Sequence, residues 1–348
     1  VELVHVINSD GQWNSTIPKS VRFRIRLNNY LTKVLRFLIQ DNEISPALIR
    51  TGFGRHINAI DCDLIHLHWV AGGLMSASDL SDIHKNIVVS VHDTWILNGL
   101  YNTKLVPSTR ILQFFSNQFV ARLNRLGVTF CVTTKWIAQQ LDSIDIFAES
   151  KFSLVQIPLD NVYTPSQLPV ENKTKLFNIG LGAVNIETDL NKGYEFVLRA
   201  LSSLPPKVQS SIELHLFGSK ECGCDNRHFF KIVKHGYIKS PQVLRNFYRA
   251  MDLQLLPSSM EMFGQVACEA LQCGTPVLIS DRCGVSDHIR MGFNGQIYKC
   301  GDLIDFNAAF MNLFNRHSAC PHEISLSMYE DFDTQKLANQ LTHCYVKT

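Results

Sequence analysis

The chain has 348 residues, 45% of them hydrophobic and 18% charged, with a formal net charge of +2. That length fits two domains, and the composition excludes a disordered chain. Near neutrality argues against a nucleic-acid binder. No apolar run reaches the roughly 18 residues needed to span a bilayer.

The opening residues do not read as a signal peptide. The ten cysteines are scattered, without the spacing of a disulfide framework, so a cytoplasmic setting is the simplest reading. Cys222-Gly-Cys224 has no second Cys or His pair at zinc-finger spacing and reads as a loop.

Residues 1–8 read as a strand and 9–20 as a loop. Between Lys19 and Arg36 there are six basic residues and no acidic one. Leu27, Tyr30, Leu31, Val34, Leu35 and Leu38 recur there at helical spacing. This basic amphipathic helix either packs its apolar side on a core or lies on an anionic membrane surface at the inner face.

From residue 64 strands and helices alternate. Strands are expected at 64–70, 87–93, 128–134 and 152–158, with helices at 76–85, 109–126 and 135–143. A Pro-rich, polar linker at 160–174 precedes a second alternating unit. Its strands are expected at 175–181, 212–218, 232–238, 252–257, 276–280 and 296–299. Its helices are expected at 192–203, 241–250, 264–273, 302–315 and 333–346. The fold class is α/β, with two doubly wound Rossmann-like domains and a ligand cleft between them. The domains are placed at 1–160 and 161–330, with a C-terminal helix at 331–348 packing back toward the first.

The stretch 257–280, PSSMEMFGQVACEALQCGTPVLIS, carries the chemistry. Glu261 precedes a helix that starts near Gly264, and Glu269 lies about a turn and a half along it. The N–H groups and dipole of that helix end suit a diphosphate. Gly264, lacking a Cβ, lets a ligand approach the backbone. Ionised carboxylates on either side suit hydroxyl-rich groups.

This stretch resembles the Glu-x7-Glu motif of retaining glycosyltransferase family 4, whose fold is GT-B. LQCGTPVLIS, Asp281–His288, HLFGS (215–219), HGYI (235–238), 244–259 and Asn191-Lys192-Gly193 follow the family's order and spacing. DLIHLHW (63–69) and SVHDTW (90–95) resemble a subgroup of bacterial surface-polysaccharide enzymes. The resemblance covers roughly residues 60–345.

The resemblance implies the following roles. Glu261 contacts hydroxyls of the transferred sugar and Glu269 those of the ribose. Lys192 neutralises the diphosphate. Backbone amides at Phe263, Gly264 and Gln265 meet phosphates or sugar, and Gly182 joins the donor site. His92 lies near sugar and acceptor, with Asp93 and Trp95 on the acceptor side. His92, Glu261 and Lys192 are the expected catalytic group.

Two departures stand out. Where the family often carries an Arg before the Lys, residues 185–191 read NIETDLN. No Gly-Gly loop occurs in residues 1–20, so the family's first strand and Gly-rich loop are expected to be missing or diverged.

No metal and no cofactor are expected. Asp61-Cys62-Asp63 mimics the Asp-x-Asp motif of the other large glycosyltransferase fold but opens a strand, away from the ligand end. His66 and His68 share a strand face without a carboxylate to complete a metal site.

The expected function is a retaining, metal-independent transfer of a hexose from a nucleotide sugar to a glycan or lipid-linked acceptor in cell-surface polysaccharide synthesis. A nucleotide-sugar epimerase and a non-catalytic glycan- or partner-binding protein of the same fold are the alternatives. The protein is placed in the cytoplasm, with peripheral membrane contact through residues 19–38.

Overall fold

The computed structural model of the protein describes residues 16–40, 44–68, 70, 72–101, 110–147, 150–166, 176–225, 228–315, 320–332 and 334–348. The expected strand at 1–8, most of the loop after it, Trp69 and residues 167–174 of the expected linker lie outside that set.

The first elements in chain order are α1 (Lys19–Ile39), α2 (Phe53–Asn58), β1 (Leu64–Leu67), α3 (Ala77–Leu80) and β2 (Asn86–Ser90). Then come α4 (Trp95–Asn98), α5 (Arg110–Arg125), β3 (Thr129–Val132), α6 (Lys135–Asp142) and β4 (Lys151–Leu154). Next are β5 (Phe177–Gly182), α7 (Tyr194–Ser202), α8 (Pro206–Gln209), β6 (Ile212–Phe217), β7 (Cys222–Asp225) and β8 (Lys231–His235). They are followed by α9 (Pro241–Ala250), β9 (Leu253–Leu256), α10 (Gln265–Gln272) and β10 (Val277–Ser280). The last are β11 (Gly295–Tyr298), α11 (Leu303–Phe314), α12 (Pro321–Asp331) and α13 (Thr334–Lys347).

The described residues divide into two compact units. One holds those up to Thr133, with Ala138–Val155 and Gln340–Thr348. The other holds Thr134–Ile137 and Gln156–Asn339.

In the first unit four parallel strands run in the order β1-β2-β3-β4. Ile87, Val88, Val89, Phe130, Cys131 and Val132 are all buried. Such unbroken apolar runs are the mark of parallel strands covered on both faces. The chain's end closes this unit. Cys344 Sγ lies 3.1 Å from Cys131 Sγ, and Thr348 Oγ1 donates to Thr129 Oγ1 at 3.0 Å.

In the second unit seven strands run in the order β11-β10-β9-β5-β6-β8-β7. Side chains alternate between two cores, as the period of two requires. Leu253, Leu255 and Leu278 join α7 and α11 in one core. Leu256, Val277 and Ile279 join α9, α10 and α12 in the other.

Three expectations are corrected. Cys222-Gly-Cys224 is not loop but part of β7, an antiparallel edge strand pairing Cys222 with His235 and Cys224 with Val233. The helix at 76–85 is only Ala77–Leu80, closed by a capping box between Ser76 and Asp79. In α1, the residues turned inward are Val21, Ile25, Asn28 and Thr32. Polar bonds dock this helix: Asn28 Nδ2 donates to Ile49 O (3.0 Å) and Gly73 O (2.9 Å), and Thr32 Oγ1 to Pro46 O (2.9 Å). Of the expected stripe, Tyr30, Val34 and Leu38 are exposed, and so are Phe23 and Phe37.

These two environments give opposite mutational outcomes. Leu214→Ala, in a core shared by strand and helices, should cost about 2–5 kcal/mol in chemical denaturation. Phe37→Ala, where the ring is 83% exposed, should change stability by no more than about 0.5 kcal/mol.

Candidate functional site

The second unit pairs Lys192 with Glu261 on loops that follow β5 and β9, where doubly wound sheets hold ligands, and sets Glu269 apart among Tyr248, Tyr163 and Gln265. After β5 the chain makes a short 3-10 turn, Leu190–Lys192, opened by Asp189 accepting from Asn191 N at 3.0 Å. Asn191 then ties this turn to the loop after β9. Its Nδ2 donates to Met260 O (2.9 Å), and its Oδ1 accepts from Met260 N (2.9 Å) and Ser259 Oγ (2.6 Å). Gly193 ends the turn at φ 71°, and a Cβ there would lie 2.6 Å from Pro257 O. Only glycine meets both demands without strain.

The two loops are thereby held so that Lys192 Nζ lies 2.8 Å from Glu261 Oε2. Ser258 Oγ donates to the same carboxylate oxygen at 3.3 Å. Backbone bonds fasten Glu261 to the next loop: its N donates to Arg282 O (3.0 Å) and its O accepts from Gly284 N (2.8 Å). Asp281–His288 is thus knitted to Glu261 without using the Glu261 side chain.

Helix α10 begins at Gln265, one residue later than expected, with Gly264 at its N-cap in the left-handed region. A Cβ on Gly264 would meet Leu256 and Val285 side chains at 2.9 Å. Gln265 is exposed, whereas the Phe263 ring is buried against Phe332, 5.9 Å between centroids. Any contact of Phe263 with a ligand therefore falls to its backbone. Gly182 ends β5, and a Cβ there would strike the Phe217 ring at 2.2 Å.

Glu269 is 8% exposed. Burial pushes its carboxyl above the ordinary range, despite opposing hydrogen bonds from Tyr248, Tyr163 and Gln265. The Tyr248 hydroxyl donates to Oε2 at 2.7 Å. Sequence reading missed both tyrosines. Tyr248 lies in the recognised stretch 244–259, but nothing in its spacing marks it as a carboxylate partner.

Lys234 was also missed. Where the family's Arg is absent, Glu187 accepts from Lys234 Nζ and Ser219 Oγ, both at 2.5 Å. Burial works to raise the Glu187 carboxyl, but these bonds outweigh it and hold it below its ordinary value. Lys234 therefore stands as a second cation beside the ends of β5, β6 and β8.

His92, Asp93 and Trp95 belong to the first unit. His92 is exposed just past β2, with Nε2 3.0 Å from His68 Nδ1. Asp93 Oδ1 accepts from Trp95 N at 2.9 Å. Trp95 is 1% exposed. Its ring packs edge-on to Phe119, and Nε1 donates to Ser45 O at 2.7 Å. An indole whose face is covered and whose donor is satisfied is core. Among the described residues, no three His, Cys, Asp or Glu side chains are arranged to hold a metal ion.

Residues 187–322 match the family model for glycosyl transferases group 1. A D-inositol 3-phosphate glycosyltransferase of Mycolicibacterium smegmatis is 27% identical over 311 residues, spanning 81% of this chain and 67% of the relative. A sucrose-phosphate synthase from Thermosynechococcus elongatus superposes with a TM-score of 0.63 at 17% identity, covering 85% of this chain and 76% of that one. Anabaena HepE, solved in complex with UDP and glucose, gives 0.56 at 16% identity, covering 82% and 78%. The fold is GT-B.

Two half-buried histidines set a pH dependence. Burial first, and neighbouring His68 and His92 next, lower His66 to about 4. Burial lowers His215 to about 4 as well, against the pull of Glu213. Both groups bind protons more weakly folded than unfolded. Their contribution is intact above about pH 6.5, and is lost as pH falls from there toward 4. A thermal-melt series across that window should show Tm falling, and a His66→Gln/His215→Gln double variant should show a shallower fall.

Proposed function

We propose that this chain, whose residues 187–322 are a group 1 glycosyltransferase domain, moves a hexose from a nucleotide sugar to a glycan acceptor with retention and without a metal. The carrying observation is the Lys192–Glu261 pair, 2.8 Å apart at the head of α10. Within the pair each charge neutralises the other. A diphosphate carries more negative charge than one carboxylate and competes for the ammonium. Donor binding then moves Lys192 onto phosphate and frees Glu261 to accept hydrogen bonds from the sugar hydroxyls. As the anomeric bond breaks, negative charge grows on the leaving diphosphate. Lys192 and the N–H groups at the start of α10 stabilise it there. Glu269, desolvated and steadied by tyrosines, is assigned to the ribose. His92 is assigned to the sugar and acceptor. No carboxylate is assigned as a nucleophile, so the leaving phosphate takes the acceptor proton on the same face. Detection of a covalent glycosyl-enzyme would count against that step.

The acceptor in this reading is lipid-linked, at a membrane surface. Two observations in the first unit support it. The solvent-facing side of α1 carries Phe23, Tyr30, Val34 and Phe37 among Lys19, Arg26 and Lys33. That mixture suits an interface of apolar chains and anionic headgroups. Beside the end of α1 lies a cavity of about 770 Å³, lined by Leu35, Ile39, Leu48, Phe114 and Phe115 with Arg122 among them. Its volume suits a hydrocarbon chain, and Arg122 a phosphate. No described helix is long and apolar enough to cross the membrane, so contact is peripheral. Surface-polysaccharide synthesis in the cytoplasm is the setting this acceptor implies.

The donor is identified by nucleotide release from UDP-, GDP-, ADP- and dTDP-sugars with EDTA present. One donor should be turned over, and Glu261→Ala and Lys192→Ala should each lower the rate about 100-fold. No release and no thermal shift with any donor would point to the non-catalytic alternative, and loss with EDTA would refute metal independence. Membrane contact is read by co-sedimentation with vesicles of phosphatidylglycerol and phosphatidylcholine. Wild type should bind the anionic vesicles, and Tyr30→Ser/Lys33→Gln/Phe37→Ser should not.

A further inference from the structure

Three histidines of the first unit lie in a row, yet only His92 has a role in the reading above. The ring centroids of His66 and His68 are 4.2 Å apart, and those of His68 and His92 are 5.3 Å apart and stacked. The row is anchored at its inner end. His66 Nδ1 lies 2.7 Å from the Tyr345 hydroxyl and His66 Nε2 2.9 Å from Ser90 Oγ. Both ring nitrogens of His66 are thus engaged by partners from separate elements, α13 and β2. The ring has no freedom to flip without losing both bonds. Tyr345 also meets it edge-on, with centroids 5.5 Å apart.

At the outer end, His68 Nδ1 and His92 Nε2 are 3.0 Å apart. Between two neutral imidazoles one nitrogen must donate and the other accept. The bond therefore couples the two tautomers, and it occupies Nε2 of His92. The nitrogen left to His92 for a substrate is Nδ1. Two cations at this distance would repel, so the pair stays short of full protonation. Partial desolvation of the rings chiefly lowers His66, His68 and His92, with neighbouring imidazoles adding to it at the first two.

We propose that His68 is a positioning residue that holds His92 in one neutral tautomer with Nδ1 presented, and that His66, Ser90 and Tyr345 form the fixed backing for His68. The inference rests on His92 being an active-site residue, as in the function proposed above. Ligand-orienting hydrogen bonds of this kind decide which nitrogen of an imidazole is available to chemistry. The arrangement also explains the spacing of His66 and His68. His66 lies in β1 and His68 one residue past its end, with their rings side by side, and β1 pairs with β2 in parallel register, His66 opposite Val88. The strand carrying Ser90 and leading to His92 is therefore the direct neighbour of the strand carrying His66.

The test uses the full chain labelled with ¹⁵N-histidine, in wild type, His68→Phe and His68→Asn. Phenylalanine keeps a ring to stack and removes the bond; asparagine restores a polar atom near the Nδ1 position. Long-range ¹H–¹⁵N spectra, assigned with His92→Phe, read the tautomer of His92 directly. In wild type His92 should show one tautomer. In His68→Phe it should show a mixture, and in His68→Asn a single tautomer again, with thermal melts establishing that each variant is folded. His92 signals unchanged in His68→Phe would overturn the proposal. Equal disturbance in both variants would also overturn it, because it would mean that His68 acts by packing alone. Nucleotide release, with the donor found above, separates this outcome from the role of His92. His92→Phe retaining full activity would remove the underlying reading, whatever the spectra show. With that reading intact, His68→Phe should lower kcat about tenfold at unchanged KM for the donor.

Discussion

One asparagine, through its side chain and backbone, holds the candidate site of the second unit together. Asn191 makes four hydrogen bonds to Ser259 and Met260, two from the side-chain oxygen, one from the amide and one at the backbone carbonyl. An amide can do this because it offers donor and acceptor at once. The turn after β5 and the loop after β9 come from strands that are neighbours in the sheet. Adjacency alone would leave their loops free to splay. Asn191 removes that freedom, and Gly193 lets the backbone close against Pro257. Lys192 sits between these two residues and has little choice but to face Glu261.

The second constraint is desolvation. Glu269 and Glu261 are eight residues apart and chemically identical, yet they occupy different environments. Glu261 shares its carboxylate with Lys192 and stays partly open to solvent. Glu269 is buried among tyrosines, and its carboxyl is raised. A carboxyl that is costly to ionise holds its hydrogen bonds tightly and exchanges them reluctantly. A partly open carboxylate paired with a flexible ammonium exchanges readily. The first suits a fixed contact, the second a contact that changes during a reaction cycle.

Much of this architecture was legible in the residues. Alternating apolar strands and periodic helices placed each strand of the two sheets except β7, because buried parallel strands have little freedom in composition. Asn191-Lys192-Gly193 was singled out by its resemblance to the family alone; the bonds of Asn191 and the close approach at Gly193 come from the fold. β7 was not legible, since Cys-Gly-Cys has weak strand preference and pairs only because β8 offers an open edge. The inward face of α1 was misjudged for a related reason. Asn28 and Thr32 face inward because backbone carbonyls of Ile49, Gly73 and Pro46 await donors there, and no count of apolar residues reveals such carbonyls. Trp95 followed the His92-Asp93 pair in the chain and was read with it, but α4 turns its ring into the core. The Glu187–Lys234 pair joins residues 47 positions apart, and sequence spacing has no access to such a pairing.

The exposed side of α1 also shapes how the protein behaves away from any partner. Phe23, Tyr30, Val34, Phe37 and Leu38 present their side chains to water beside a line of cations. Two copies that met through this stripe would bury aromatic surface but bring like charges together. At low ionic strength that repulsion is at its strongest. Salt screens that repulsion while leaving the apolar attraction in place. Any meeting of copies through this stripe is therefore favoured by added salt, the reverse of an interface built on ion pairs.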